Sequence, residues 1–189
     1  MKRTRAKAGF TLIELLVTIV IMVLIATGIG IGMSSGTKAY QKSIFMSDSA
    51  MLSDTVNTSL SNLLSHSQNI KFNDGTMKDA NGNTLSKSSV GFVFTSVEYG
   101  VQDGYFTVST DGVLSMKTLE DAAAMELINN GIYPDLKISN FSIKYVSEGS
   151  NAAGSAGRGG YFNVTYKITS TKNSKLTRNV STVIRMLNN

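Results

Sequence analysis

Few side chains in this chain are spaced for covalent or metal chemistry. His66 is the single histidine, set between Ser65 and Ser67 near the expected end of a helix. Helical neighbours that face each other are three or four residues apart, so the pattern reads as a helix-terminal histidine and nominates no nucleophile and base pair. With no cysteine and one histidine, the usual zinc ligand sets cannot be assembled. Asp79, Asn81 and Asn83 alternate as oxygen donors do in calcium loops. Gly82, however, is misplaced for an EF-hand, and the twelfth position is Val90 rather than glutamate, so a polar turn is expected. The glycine-rich stretch Ser147 to Gly160 offers only Arg158 as a cation and leads into a strand pattern rather than a helix, unlike a phosphate-binding loop. It reads as a mobile hairpin connection. No cofactor, metal or catalytic residue is expected.

Glu14 is the ionisable residue that stands out. From Leu15 to Thr37 no residue is charged, and at ~1.5 Å per helical residue that span covers a hydrocarbon core of ~30 Å. An acid at the head of such a run is costly in lipid and is a functional suspect by default. Lys2, Arg3, Arg5 and Lys7 all precede the run, which directs the leader to the cytoplasm and the chain after Lys38 outward. A secretory signal has a shorter apolar stretch with small residues after it; here Ala8 and Gly9 come before it.

Gly9, Phe10, Thr11, Leu12, Ile13, Glu14, Leu15 and Leu16 together resemble the processing and methylation motif of type IV prepilins and of the pseudopilins of secretion and competence machines. The resemblance implies cleavage by a prepilin peptidase between Gly9 and Phe10, N-methylation of Phe10, and pairing of Glu14 with the cationic amino terminus of a neighbouring subunit. Two opposite charges that satisfy each other in low dielectric are consistent with that role, since either alone is expensive. It further implies other pilin or pseudopilin subunits, an inner-membrane assembly platform with an ATPase motor, and membrane lipid as partners, with nucleic acid only in a competence system. Many relatives carry a disulfide-bounded loop and a proline near the position of Ile31. This chain has neither, and the missing disulfide loop favours a pseudopilin, a minor pilin or a Gram-positive relative. Gly28, Gly30 and Gly32 stand at that point and form a candidate hinge, each weakening the helix by up to ~1 kcal/mol against alanine. Close packing of membrane helices on small residues is the other reading.

The elements that must carry this motif follow from periodicity. Phe45, Leu52, Val56, Leu60 and Leu63 form an apolar helical stripe, with Lys42, Asp48, Ser53, Asp54 and Asn57 mostly between them. This extends the spine to about Ser67 to Asn69. Lys71 to Ser89 reads as a loop, and Val90 to Val97 and Tyr105 to Ser109 read as strands with a hairpin at Asp111 and Gly112. Asp121 to Asn130 reads as a short helix stopped by Gly131. Phe141, Ile143 and Tyr145, then Phe162, Val164, Tyr166 and Ile168, then Val180, Thr182, Ile184 and Met186 alternate as three strands of an antiparallel meander.

The expected fold is α+β: a long N-terminal helical spine with an antiparallel β-sheet domain packed on its second half. Its parts are a leader (1–9), a transmembrane and assembly helix (10–37), an amphipathic half (38–70) and an exported domain (71–189). The intact chain carries +5, but removing the four leader cations leaves 14 basic against 13 acidic side chains, a balance of +1. Bulk charge therefore gives no argument for a nucleic-acid partner. The reading is a non-enzymatic filament subunit; a non-polymerising anchored sensor or adhesin shares the anchor and lacks a use for Glu14.

Overall fold

The computed structural model describes residues 11–121, 123–128, 131–147 and 160–187. Among the described residues one α-helix, α1 (Leu12–Ser65), comes first. The chain divides into two compact units after Ile44. In the first, the apolar side chains from Leu12 to Met33 are exposed, and the helix is long and apolar enough to cross a membrane. Its threonine hydroxyls are folded back onto the helix: Thr18 Oγ1 donates to the carbonyls of Glu14 (2.6 Å) and Leu15 (2.9 Å), Thr27 to Leu24, and Thr37 to Met33 and Ser34. Every side-chain donor so used is one that lipid need not solvate. Helical hydrogen bonding runs without interruption through Gly28, Gly30 and Gly32, where an added Cβ would meet nothing within 4 Å.

In the second unit, α1 buries Phe45, Leu52, Val56, Leu60 and Leu63, the whole of the expected stripe, together with Leu64. Ser49 and Ser53 are buried on the same face, although Ser53 reads from sequence as part of the polar face. The small side chain of Ser53 lets Tyr166 reach the helix. Its hydroxyl lies 3.3 Å from Ser53 O, Ser53 Oγ and Asn57 Oδ1, and burial pushes this phenol's pKa upward. The helix ends at Ser65, ahead of the expected Ser67 to Asn69, because Ser67 turns back on Leu64 O through both its amide (3.2 Å) and its hydroxyl (2.7 Å).

Two antiparallel sheets follow. The first has β1 (Gln68–Phe72), β2 (Phe92–Ser96), β3 (Val101–Val108), β4 (Leu114–Thr118) and β5 (Met125–Glu126) in sequential order. The second has β6 (Leu136–Ser147), β7 (Gly160–Ser170) and β8 (Thr177–Arg185) in sequential order, the meander expected from the alternation. On β7, Phe162, Val164, Tyr166 and Ile168 are all buried. On β6 the inward set changes from Leu136 and Ile138 to Phe141, Ile143 and Tyr145, a change of parity that requires one extra residue. The register shifts between Ser139 and Ser142, where Asn140 has φ 51°. Phe92, Phe94, Phe106 and Phe162 join the helix stripe in one core, with ring centroids 5.2 Å apart for Phe94 and Phe106 and 5.4 Å for Phe92 and Phe162.

Two expectations need correction. Lys71 and Phe72 belong to β1, so the connecting segment starts at Asn73. Asn73 is buried and ties that segment down, its Nδ2 donating to Leu85 O (3.0 Å) and Val90 O (2.9 Å). Met77 and Leu85 pack there on Val90, Val93 and Tyr105. The short helix expected over Asp121 to Asn130 is replaced by β5. Thr118 Oγ1 accepts from Asp121 N (3.0 Å), Asp121 Oδ1 accepts from Ala123 N (2.9 Å), and Met125 and Glu126 pair with Met116 and Ser115. Sheet pairing there overrides the helix preference of an Ala, Met and Leu run.

The β3–β4 turn closes with Gly112 N donating to Ser109 O at 2.9 Å, Gly112 having φ 81°. A Cβ on Gly112 would lie 2.7 Å from Lys137 Cβ and 2.8 Å from Ile138 N, so Gly112→Ala combines backbone strain with a collision against β6. In urea unfolding of the detergent-solubilised chain, Gly112→Ala should lower the midpoint. Leu60→Ala, at a position with 0 % exposure, should cost about 2–5 kcal/mol. A Leu60→Ala chain as stable as wild type would remove the helix from the core.

Candidate functional site

The first turn of α1 holds the charged residue of the apolar segment. Thr11 precedes the first helical residue, and its hydroxyl accepts from Glu14 N at 3.4 Å. In return, Glu14 Oε2 accepts from Thr11 N and from Thr11 Oγ1, both at 3.0 Å. Thr11 is thus the N-cap and Glu14 the third helical residue of a reciprocal capping box, with Leu15 N donating to Thr11 O (3.2 Å) as the first full helical bond. Within one chain, then, the Glu14 carboxylate is directed to its own helix start, where the positive end of the helix dipole also favours it. Only Oε2 makes these bonds, and the residue is exposed, so the carboxylate remains accessible to an additional cationic partner. The Thr-x-x-Glu spacing was a readable signal for this cap; the expectations above used Glu14 alone.

Gly9 and Phe10, the expected cleavage and methylation positions, lie outside the described residues, as does most of the Ser147 to Gly160 stretch, residues 148–159. Gly28, Gly30 and Gly32 are placed further along the same exposed helix, away from the capping box in sequence.

The other chemistry-bearing residues are occupied differently from a catalytic arrangement. His66 does meet Ser65, because the helix has ended: Ser65 Oγ is 3.1 Å from His66 Nδ1, contrary to the expectation drawn from regular helical spacing. Asn62 O (3.3 Å) and Glu98 Oε2 (3.4 Å) approach that same nitrogen. A proton relay needs the acid and the hydroxyl on opposite ring nitrogens, so this cluster orients the helix end and does not activate Ser65. Asp79 faces into its own turn, accepting from Asn81 N (3.0 Å), Asn83 N (2.8 Å) and Asn83 Nδ2 (3.2 Å), with Gly82 at φ 81°. That is the polar turn expected. Among the described residues no three His, Cys, Asp or Glu side chains are gathered for a metal ion.

Residues 4–30 match the family described as the prokaryotic N-terminal methylation motif, the signature of type IV pilins and pseudopilins. The match spans six of the residues ahead of Phe10, the Thr11 and Glu14 cap and the first part of the apolar helix. No curated protein and no solved structure matches the chain.

Two outcomes follow from this geometry. Thr11→Ala removes one side of the capping box and should destabilise the first turn by ~1 kcal/mol, read as increased amide exchange at Ile13 and Glu14 in detergent micelles; unchanged exchange would mean that the cap does not hold the turn. For Asp79, bonding from the Asn83 amide holds the carboxyl below the usual aspartate range. A depressed folded pKa makes the turn's contribution complete above the ordinary aspartate range and lost as pH falls through the lower value. An NMR titration should show the Asn83 amide shifting only in strongly acidic solution, and a transition above the ordinary range would contradict the bonding.

Proposed function

We propose that this chain is a structural subunit of a type IV pilus or a related pseudopilus, processed by prepilin peptidase at Gly9–Phe10, methylated on Phe10, and assembled through α1. The methylation motif supports a pilin-like or pseudopilin-like protein. The observation that carries the assembly role is Glu14: a lone carboxylate on an exposed apolar helix, next to the end that cleavage would create. In lipid such a group needs an opposite charge, and a cationic Phe10 terminus of a neighbouring subunit provides one. The Thr11 cap supplies an interim partner for the subunit while it waits in the cytoplasmic membrane, leader inside and domain outside. Extraction by an assembly platform and its ATPase motor then places the domain on a filament surface, and Gly28, Gly30 and Gly32 are where α1 yields most easily on the way. The lack of cysteine suits the same reading for a subunit of a pilus, secretion or competence system.

Mass spectrometry of the mature chain should find an N-methylated Phe10 terminus, and retention of Met1 to Gly9 in cells that hold the peptidase would overturn the assignment. Glu14→Ala should leave the chain anchored in the membrane and strongly depleted from sheared surface filaments. Normal incorporation would favour a monomeric anchored sensor or adhesin.

A further inference from the structure

The near-neutral balance of the processed chain conceals a separation of charge between its two sheets. The core side of β7 is taken by Phe162, Val164, Tyr166 and Ile168, so the alternate residues of the three-stranded sheet face outward. On that outward face the strand register sets Lys137 on β6, Lys167 on β7, Lys144 on β6 and Arg185 on β8 one to a row, with the uncharged row of Ser142, Thr165 and Ser181 between Lys167 and Lys144. At ~3.4 Å per residue these four cations extend over roughly 27 Å of sheet. The remaining outward positions on the described strands are Ser, Thr, Asn, Tyr and Val, with no Asp or Glu. Lys137, Lys144 and Arg185 are exposed, and none of the four forms an ion pair among the described residues. The nearby carboxylate of Asp135 is taken by Lys172.

The complementary charge sits on the other sheet. Between Lys117 and Lys137 the sequence has no lysine or arginine, and Glu120, Asp121 and Glu126 are exposed there. Glu126 belongs to β5, the end strand of the five-stranded sheet, whose outer side has no strand paired to it among the described residues. These three carboxylates also form no ion pair among the described residues. Among the described residues no ion pair joins the cationic face to the anionic edge within one chain, so both are left available to a contact between copies. Such a contact joins unlike patches, so each copy leaves one of each free for the next, the arrangement that builds open filaments.

We infer that the outward face of β6, β7 and β8, through Lys137, Lys144, Lys167 and Arg185, docks on the acidic β5 edge, Glu120, Asp121 and Glu126, of a second copy of this chain. The inference rests on the assembly reading and adds to it a contact between domains that selects the neighbour by charge.

Charge exchange in the full-length chain, expressed in its own cells, tests it. Lys144→Glu with Lys167→Glu, and separately Glu120→Lys with Glu126→Lys, should each reduce the chain in sheared filaments roughly tenfold while the processed form persists in the membrane fraction. All four substitutions together should restore most of the sheared signal, which also excludes misfolding as the cause of the losses. Reversed pairs that assemble at the wild-type level overturn the contact, as does a fourfold variant no better than its parents, including the case in which the face serves a foreign polyanion instead. Wild-type filaments should also loosen in ~1 M salt, and salt-indifferent filaments count against the contact. If the wild-type chain is processed yet absent from every sheared fraction, the assembly reading fails and this contact fails with it.

Discussion

Between Thr11 and Lys38 Glu14 is the only charged side chain, and the solvent expected around it is hydrocarbon. A carboxylate in that position must find hydrogen-bond donors or a cation, because desolvating it alone costs several kcal/mol. Its own chain supplies the donors through Thr11, which turns an acid that would disrupt an anchor into the third residue of a properly started helix. The same cap leaves the carboxylate exposed and at the end of the chain that processing would open. The helix cap and an accessible carboxylate thus come from one side chain, and the methylation motif matched over residues 4–30 includes that side chain.

The rest of α1 meets two solvents in turn. From Leu15 to Thr37 it carries no charge, and it presents exposed aliphatic side chains and threonines bonded back onto the helix. From Phe45 it becomes one wall of a protein core, where a narrow stripe of large residues alternates with serines small enough to admit the sheet. Tyr166 shows how closely the two are matched: its ring lies in the core, and its hydroxyl ends within hydrogen-bond distance of Ser53 and Asn57 on the helix. A domain without disulfides can be held this way, by a helix that is already rigid and two sheets that share its apolar side.

The parts readable from sequence were those with a single strong period. The stripe from Phe45 to Leu63 and the alternation through Phe162 to Ile168 each correspond to one buried face, and Asp111-Gly112 has the chemistry of the turn it makes. The parts that escaped depend on partners distant in sequence. Residues 125–126 have helical composition, yet they complete the edge of a sheet whose other strands were not recognised as adjacent to them. Ser49 and Ser53 look polar in isolation, and only the approach of the sheet makes their size matter. At the candidate site, Glu14 was legible through the cost of its environment, and its bond to Thr11 was legible as a spacing that went unused. The basic face of β6 to β8 could not be seen before the register was known, because its four cations come from three strands.

Assembly through Glu14 depends on where its carboxylate is directed once subunits are together. A density map of sheared filaments at side-chain resolution measures this directly. The assembly reading predicts Glu14 within ~4 Å of the amino terminus of Phe10 on a neighbouring copy, with its hold on Thr11 loosened or shared. Filaments in which every Glu14 remains closed on its own Thr11, with no neighbouring amino terminus near it, would contradict the account.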